Sequence, residues 1–378
     1  MPGSNLRIAV STPIVEPHPT GVGVYSINLV NELAKLCDDF RLYTSYPEAF
    51  EVDSTKVCRV SPLTRPARGL MGFLARTLWM QTFLPLRNIR NHDSVVLSTG
   101  TEGSLVPFVP QVITVHDIIP LLFPELHPHY VELIFFRYIL PWELRHSAAI
   151  IAVSESTKGD IVRVFGLPPE KIRVIYEGYN REVFRPCQDT QPVKRRLGID
   201  QYIHYAGNVL PHKNVARLIE AFSLIAGRIP HQLVIQGRRN SEYYADLEAM
   251  IRERGLEQRV VFPGYVPLDL LPGLYSGATV YVSVSLSEGF GLTPLEAMAC
   301  GTPVIASRAS SLPEVVGDVG ILVDPENPGE IAEAMLRVIK NPELRMELSR
   351  EALKRADTFS WSKAASETVE VLLSVAKR

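Results

Sequence analysis

Two carboxylates and two glycines stand close together in E-G-F-G-L-T-P-L-E. Glu288 and Glu296 bracket Gly289 and Gly291, with seven residues between the acids. Glycines let a backbone turn sharply and let a ligand approach it. The residues that follow read as a helix start: Thr293 at the N-cap, Pro294 at the first helical position and Glu296 three residues after the cap. Such a junction presents unpaired N–H groups at the positive end of a helix dipole, which suits a phosphate. The acids suit hydroxyl groups. A sugar nucleotide offers both partners, a diphosphate for the amides and sugar hydroxyls for the carboxylates. Each acid also has a plain reading: T-P-L-E is a capping box and Glu288 a solvated loop acid.

Other residues could serve the same chemistry. Lys213 sits where the strand Tyr202–Gly207 gives way to a helix starting near Asn214. A lysine at a helix N-terminus opposes the dipole. No acid lies nearby in sequence, and a bound anion would remove the conflict; the plain alternative is a solvated lysine. His116, in V-I-T-V-H-D-I-I-P, ends a buried strand, the position at which ligands gather in open α/β sheets. Asp117 is a loop-orienting acid or simply a turn residue. Gly21 and Gly23, in P-T-G-V-G-V-Y-S, follow the first strand but lack the third glycine of a dinucleotide fingerprint, so a tight turn is the competing reading.

E-G-F-G-L-T-P-L-E-A-M-A-C-G-x-P-V-I-A-S resembles the E-x7-E signature of retaining GT-B glycosyltransferases of the glycosyltransferase 4 type. The resemblance implies that Glu288 lies near the donor sugar and that Glu296 holds the ribose. The backbone N–H groups of Phe290, Gly291, Leu292 and Thr293 would meet the diphosphate or sugar. V-H-D-x-x-P is similar to the family's active-site histidine motif, making His116 a donor-sugar contact. The K-N pair at Lys213 would contact the diphosphate, and Gly21 and Gly23 would face the donor phosphates from across a central cleft. Many members carry an arginine where this chain has Asn208. That departure leaves the anion site a charge short, and Arg238, after Gly237, either supplies it or is a surface arginine. The segment Val260–Pro267, with Tyr265, resembles the loop around the nucleotide base.

The elements that must position these residues follow from composition and pattern. The chain has 378 residues, 46% hydrophobic and 21% charged, with a net charge of −2. Two or three domains with sizeable cores are expected, and bulk nucleic-acid binding is not. Cys37, Cys58, Cys187 and Cys300 are scattered with no C-x-x-C, which fits a reducing compartment and gives no metal site. M-P-G-S-N-L-R enters a strand directly, so no secretory signal is expected, and no apolar run is long enough to cross a bilayer. A cytoplasmic protein is the expectation.

Short apolar strands alternate with amphipathic helices, which predicts parallel sheets covered on both faces. Expected strands are Arg7–Thr12, Arg41–Thr44, Val95–Ser98, Val112–His116, Ala149–Val153 and Ile172–Tyr176, then Tyr202–Gly207, Gln232–Gln236, Val260–Phe262, Val280–Val284, Pro303–Ala306 and Gly320–Val323. Two such series imply two Rossmann-like, doubly wound domains: residues 1–180 with 359–378 on the acceptor side, and residues 181–358 binding the donor. The Pro-bearing segment Gly178–Arg196 reads as the linker. A final amphipathic helix runs from Trp361 to Lys377; its crossing back to the first domain is what the resemblance implies.

Residues 64–92 hold Arg65, Arg68, Arg76, Arg87 and Arg90 among Phe73, Leu78, Trp79, Phe83 and Leu84, with no acid. Two readings stand level: a basic amphipathic stretch on an anionic membrane surface, or a core-packing helix with a basic face. Because the family's acceptors are often lipid-linked glycans, the resemblance favours the membrane.

The expected activity is transfer of a hexosyl group from a nucleoside diphosphate sugar, UDP-linked first and GDP-mannose next, to a hydroxyl of a glycan or lipid-linked glycan, with retention. No D-x-D occurs in the chain, so no metal and no other cofactor is expected. Lys213, the helix start after Gly291 and the Gly21–Gly23 turn would then stabilise the departing phosphate. The alternatives are a sugar-nucleotide epimerase of the same architecture and a non-catalytic sugar-binding protein.

Overall fold

The computed structural model describes residues 6–126, 130–237 and 242–376. By its internal contacts the chain falls into two compact units, Met1–Gly178 with Ser360–Arg378, and Tyr179–Phe359.

The first unit is built on strands β1 (Ile8–Thr12), β2 (Phe40–Thr44), β3 (Val57–Arg59), β4 (Val95–Ser98), β5 (Gln111–Val115), β6 (Ala149–Ala152) and β7 (Ile172–Val174). They form one parallel sheet in the order β3-β2-β1-β4-β5-β6-β7. β1, β4, β5 and β6 are buried on both faces, which is why they read as unbroken apolar runs. Strand order reverses between β1 and β4, and loops leaving the carboxyl ends at such a point form a crevice.

The last helix, Trp361–Ala376, packs against the helix Gly21–Leu36 with Trp361, Ala364, Ala365, Thr368, Val371 and Leu372 turned inward. Tyr25 meets the Trp361 ring edge-on at 5.6 Å between centroids. Gly178 is required here, since a Cβ on it would collide with the backbone of Ser360 and Trp361.

The second unit holds β8 (Tyr202–Ala206), β9 (Gln232–Gln236), β10 (Val260–Val261), β11 (Val280–Ser283), β12 (Val304–Ser307) and β13 (Ile321–Val323). This sheet is also parallel, in the order β10-β9-β8-β11-β12-β13, and reverses between β8 and β11. One apolar core runs from Ile203, Val280 and Val282 in the strands to Leu218, Phe222, Ile331 and Met335 in the covering helices.

Several expectations need correction. Most strands end one or two residues away from the expected bounds. β3 was not expected: it has three residues, none buried, too short and too wet for a hydrophobic period to mark it. The supposed linker is structured in its second half, where Pro192 sits in the first turn of the helix Gln191–Leu197. Val193 of that helix packs with Ile199, Tyr202 and Leu274. Within residues 64–92 the continuous helical stretch covers 69–91 and carries a π turn. It runs as Gly69–Leu78, the π turn Trp79–Phe83, and Leu84–Asn91.

Candidate active site

In the second unit the loops leaving β8 and β11, the two strands at the reversal, lie side by side. The β8 loop passes through a turn Pro211–Lys213 into the helix Val215–Ser223. Asn214 sits between them at φ 58°, a left-handed conformation that Asn tolerates. Its amide donates to the carbonyls of Val284 at 3.0 Å and Pro325 at 2.7 Å, tying the two loops together. The amide of Leu286 donates to His212 O at 2.8 Å, a second tie.

These ties bring Lys213 against Glu288. Nζ lies 2.5 Å from Oε2, and the two side chains are 19% and 14% exposed. So the lysine at the helix start has its acid after all, from a loop 75 residues away in sequence. Glu288 is not the solvated loop acid of the plain reading. Ser285 Oγ donates to its Oε1 at 2.8 Å. The hydroxyls of Ser310 and Ser311 donate to its carbonyl, at 2.5 and 3.0 Å, while its own N–H donates to Ser310 Oγ at 2.9 Å. An ionised carboxylate has about four lone-pair sites, so sugar hydroxyls can still be accepted.

The helix after this loop runs Leu292–Ala299, with Gly291 at its N-cap. Thr293 is therefore not the cap, and T-P-L-E is not a capping box. Gly291 reaches φ 112°, where a side chain is strained, and a Cβ there would come within 2.9 Å of Leu312. No side chain caps this end, so the first-turn N–H groups remain available beside the Lys213–Glu288 pair. Phe290 turns inward and packs edge-on against Phe359 at 5.8 Å. The Thr293 hydroxyl lies 2.8 Å from Tyr281 Oη.

Glu296 is one turn further on. Instead of reaching back to the helix start, its Oε2 accepts from Tyr275 Oη at 2.8 Å. Burial pushes its carboxyl up to about 7, with the tyrosine hydrogen bond pulling the other way. Gly301 at φ 74° ends the helix in the expected left-handed conformation. Asn208 is exposed at the β8 carboxyl end, where a Cβ on the neighbouring Gly237 would strike the Gly207 carbonyl. Arg238 lies outside the described residues. Tyr265 is on the surface, 76% exposed.

The first unit gathers the remaining candidates. Gly21 opens the helix Gly21–Leu36, whose N-terminus has neither a side-chain cap nor an acid in its first turn. Gly23 lies inside the helix, where a Cβ would press on Pro19 at 2.9 Å. Tyr25 of this helix meets the His116 ring edge-on at 4.7 Å. His116 is buried, and both ring nitrogens face protein: Nε2 the Thr99 carbonyl at 2.8 Å, Nδ1 the Glu177 carboxyl at 3.5 Å. A carbonyl only accepts, so Nε2 carries a proton. Burial pushes the Glu177 carboxyl up, partly countered by the imidazole. Asp117 has the turn role, its Oδ1 accepting from Ile119 N at 3.0 Å.

Asn214 was expected only as the second residue of the K-N pair, not as a tie between loops, and Ser285, Ser310, Tyr275 and Glu177 were missed. Glu177 had a signal, a lone acid directly after an apolar strand and before Gly178. The others reach the site through contacts that no local pattern encodes.

The family profile described as Glycosyltransferase Family 4 matches residues 19–183, and that described as Glycosyl transferases group 1 matches residues 189–355. The O-antigen chain mannosyltransferase B of Escherichia coli is 30% identical over 379 residues, spanning 96% of this chain and 98% of its own. This chain is a family 4, group 1 glycosyltransferase. The alpha-maltose-1-phosphate synthase of Mycolicibacterium smegmatis is 27% identical and matches 98% of this chain and all of its own. Among solved structures, sucrose-phosphate synthase from Thermosynechococcus elongatus superposes with a TM-score of 0.78 at 22% identity, covering 97% of this chain and 98% of its own. Anabaena HepE in complex with UDP and glucose gives 0.77 at 21% identity, covering 98% of this chain and 100% of its own. The two parallel-sheet units are thus the GT-B fold.

Proposed function

We propose that this glycosyltransferase moves a mannosyl group from a nucleoside diphosphate sugar to a hydroxyl of a glycan or lipid-linked glycan, with retention of configuration. The observation that carries the reading is the Lys213–Glu288 pair beside the uncapped start of Leu292–Ala299. It joins a cation and free amides, which suit a diphosphate, to a carboxylate that suits sugar hydroxyls. The similarity to an O-antigen mannosyltransferase moves GDP-mannose ahead of the UDP-sugars favoured on sequence grounds.

In this reading the diphosphate enters at the helix start and takes the Lys213 ammonium from Glu288. Departure of the nucleotide puts negative charge on phosphate oxygens, which Lys213 and the amides of Leu292 and Thr293 stabilise without a metal. Glu288, relieved of the ammonium, accepts from hexose hydroxyls, and Glu296 accepts from the ribose. No residue is assigned as a covalent nucleophile; the departing phosphate takes the acceptor's proton. In the first unit, His116 is held by Thr99 and Glu177.

The acceptor is read as membrane-borne. The helical stretch 69–91 and the turn before it expose Leu70, Met71, Leu74, Leu78, Leu86 and Ile89 together with Arg68, Arg87 and Arg90. Apolar side chains with interspersed arginines suit an anionic bilayer surface. Trp79 and Leu84 face the core instead, and Arg76 is buried on Glu102 at 2.6 Å, so the core-packing reading accounts for one side of the segment. No described helix is long and apolar enough to cross a membrane.

The test is incubation with labelled GDP-mannose and UDP-sugars, alone and with membrane glycolipid extract. Mannose transferred only when extract is present supports the reading. An isomerised donor without acceptor would indicate an epimerase, and an unchanged donor in every mixture a binding protein.

A further inference from the structure

The helix carrying Glu296 is gripped from beneath by two tyrosine hydroxyls. Tyr281 Oη lies 2.8 Å from Thr293 Oγ1 and 3.2 Å from Ala206 O. Tyr275 Oη donates to Glu296 Oε2 at 2.8 Å. Both rings are fully buried in one aromatic cluster, with His204 edge-on to Tyr275 at 4.9 Å and to Tyr281 at 5.7 Å. Phe184 closes on Tyr275 from another side at 5.9 Å. The ring of Tyr275 therefore has no freedom to turn, and its hydroxyl is a fixed donor. The grip is asymmetric: among the described residues the Glu296 carboxylate has no other hydrogen-bond partner, so Oε1 is uncommitted.

We propose that Tyr275 is a positioning residue for the nucleotide sugar, pinning Glu296 Oε2 so that Oε1 is aimed to accept from the ribose hydroxyls of the donor. The proposal rests on the reading that Glu296 holds the ribose. Its chemistry is a charge-assisted hydrogen bond. A phenol that donates to a carboxylate favours the ionised acid, and it is the ionised acid that can accept from two vicinal hydroxyls. Burial alone would favour the neutral acid. The carboxyl, pushed up to about 7, stands at the balance of the two.

The experiment measures the donor KM and kcat across pH 6–9 for the full chain and three variants. Tyr275→Phe keeps the ring and removes the donor. It is expected to raise the donor KM about five- to tenfold at neutral pH, with a smaller change in kcat. The pH below which donor binding is lost is expected to move upward. Tyr281→Phe removes a hydroxyl from the same cluster that does not reach Glu296, and is expected to leave that pH unmoved. Glu296→Gln is expected to raise KM and abolish the pH dependence. If Tyr275→Phe does not fold, a fluorinated tyrosine at position 275, a stronger donor of the same shape, is expected to move the transition downward. Tyr275→Phe, or the fluorinated variant, with wild-type KM and pH dependence would overturn the positioning role even if Glu296→Gln loses binding. Glu296→Gln with wild-type KM would overturn both this role and the ribose reading.

Discussion

Lys213 has two suitors, the carboxylate it now holds and the diphosphate it is read to bind. Because the pair is nearly buried, each side chain sets the other's availability. Removing the acid should free the ammonium for the anion. Glu288→Ala is therefore expected to bind a nucleoside diphosphate at least as tightly as wild type, while transfer falls by roughly tenfold or more through loss of the sugar contact. Calorimetric titration beside a transfer assay checks this; weakened nucleotide binding in Glu288→Ala would mean that the pair shapes the site rather than competes for it. At this scale the sequence was half informative. The dipole conflict singled out Lys213, but its partner comes from another strand's loop, and no spacing rule joins positions 213 and 288. Glu296 was visible in the signature, whereas Tyr275 looked like any core aromatic.

Elements were more legible, for a physical reason. Strands buried on both faces read as apolar runs, and β1, β4, β5, β8 and β11 could be located by that alone. What failed were places where apolar content does not report geometry: the edge strand β3, the helix hidden behind Pro192, and the π turn inside residues 69–91. That turn has a titratable support. Gln81 within it donates to Glu143 Oε1 at 3.1 Å and to Gly103 O at 3.0 Å, while Gly103 N donates to Glu143 Oε2 at 3.0 Å.

Glu143 is fully buried, and burial pushes its carboxyl up to about 8 from 4.5. In the unfolded chain the acid loses its proton near its ordinary value; in the folded chain it keeps it. Between pH 4.5 and 8 the native state thus binds more protons, and stability falls as pH rises. The loss is on the order of 4 kcal/mol by pH 8. Glu143→Gln is expected to flatten this slope. Thermal unfolding at pH 5, 6.5 and 8 checks it, and a wild-type slope that survives in Glu143→Gln would exclude Glu143 as the cause.

At the scale of the whole molecule, the sequence announced two α/β series, and two parallel sheets are present. The surface was harder to read. Residues 64–92 were ambiguous because the segment carries two kinds of side chain: Trp79 and Arg76 face inward, while Leu70, Met71 and Leu74 face water. The exposed apolar surface also extends beyond that segment. Trp142 is half exposed, and its Nε1 donates to Leu105 O at 3.3 Å. Ile134 and Tyr138 are exposed two turns and one turn before it, and Phe135 meets Phe73 edge-on at 6.2 Å. The exposed residues of two helical segments thus belong to neighbouring elements of one unit. The chain is expected to co-sediment with phosphatidylglycerol vesicles and not with phosphatidylcholine vesicles. Arg87→Glu with Arg90→Glu should reduce that binding several-fold, at roughly 1 kcal/mol per charge near the surface. Equal sedimentation of wild type and variant would remove the electrostatic part of the reading.

The most direct measurement is titration of GDP into the wild-type chain and into Lys213→Ala, each in the presence of a chelator. A diphosphate held by one ammonium and helix amides predicts binding by wild type without metal and a loss of at least about tenfold in Lys213→Ala. Equal affinity in the two proteins, or binding by wild type that the chelator abolishes, would contradict the account.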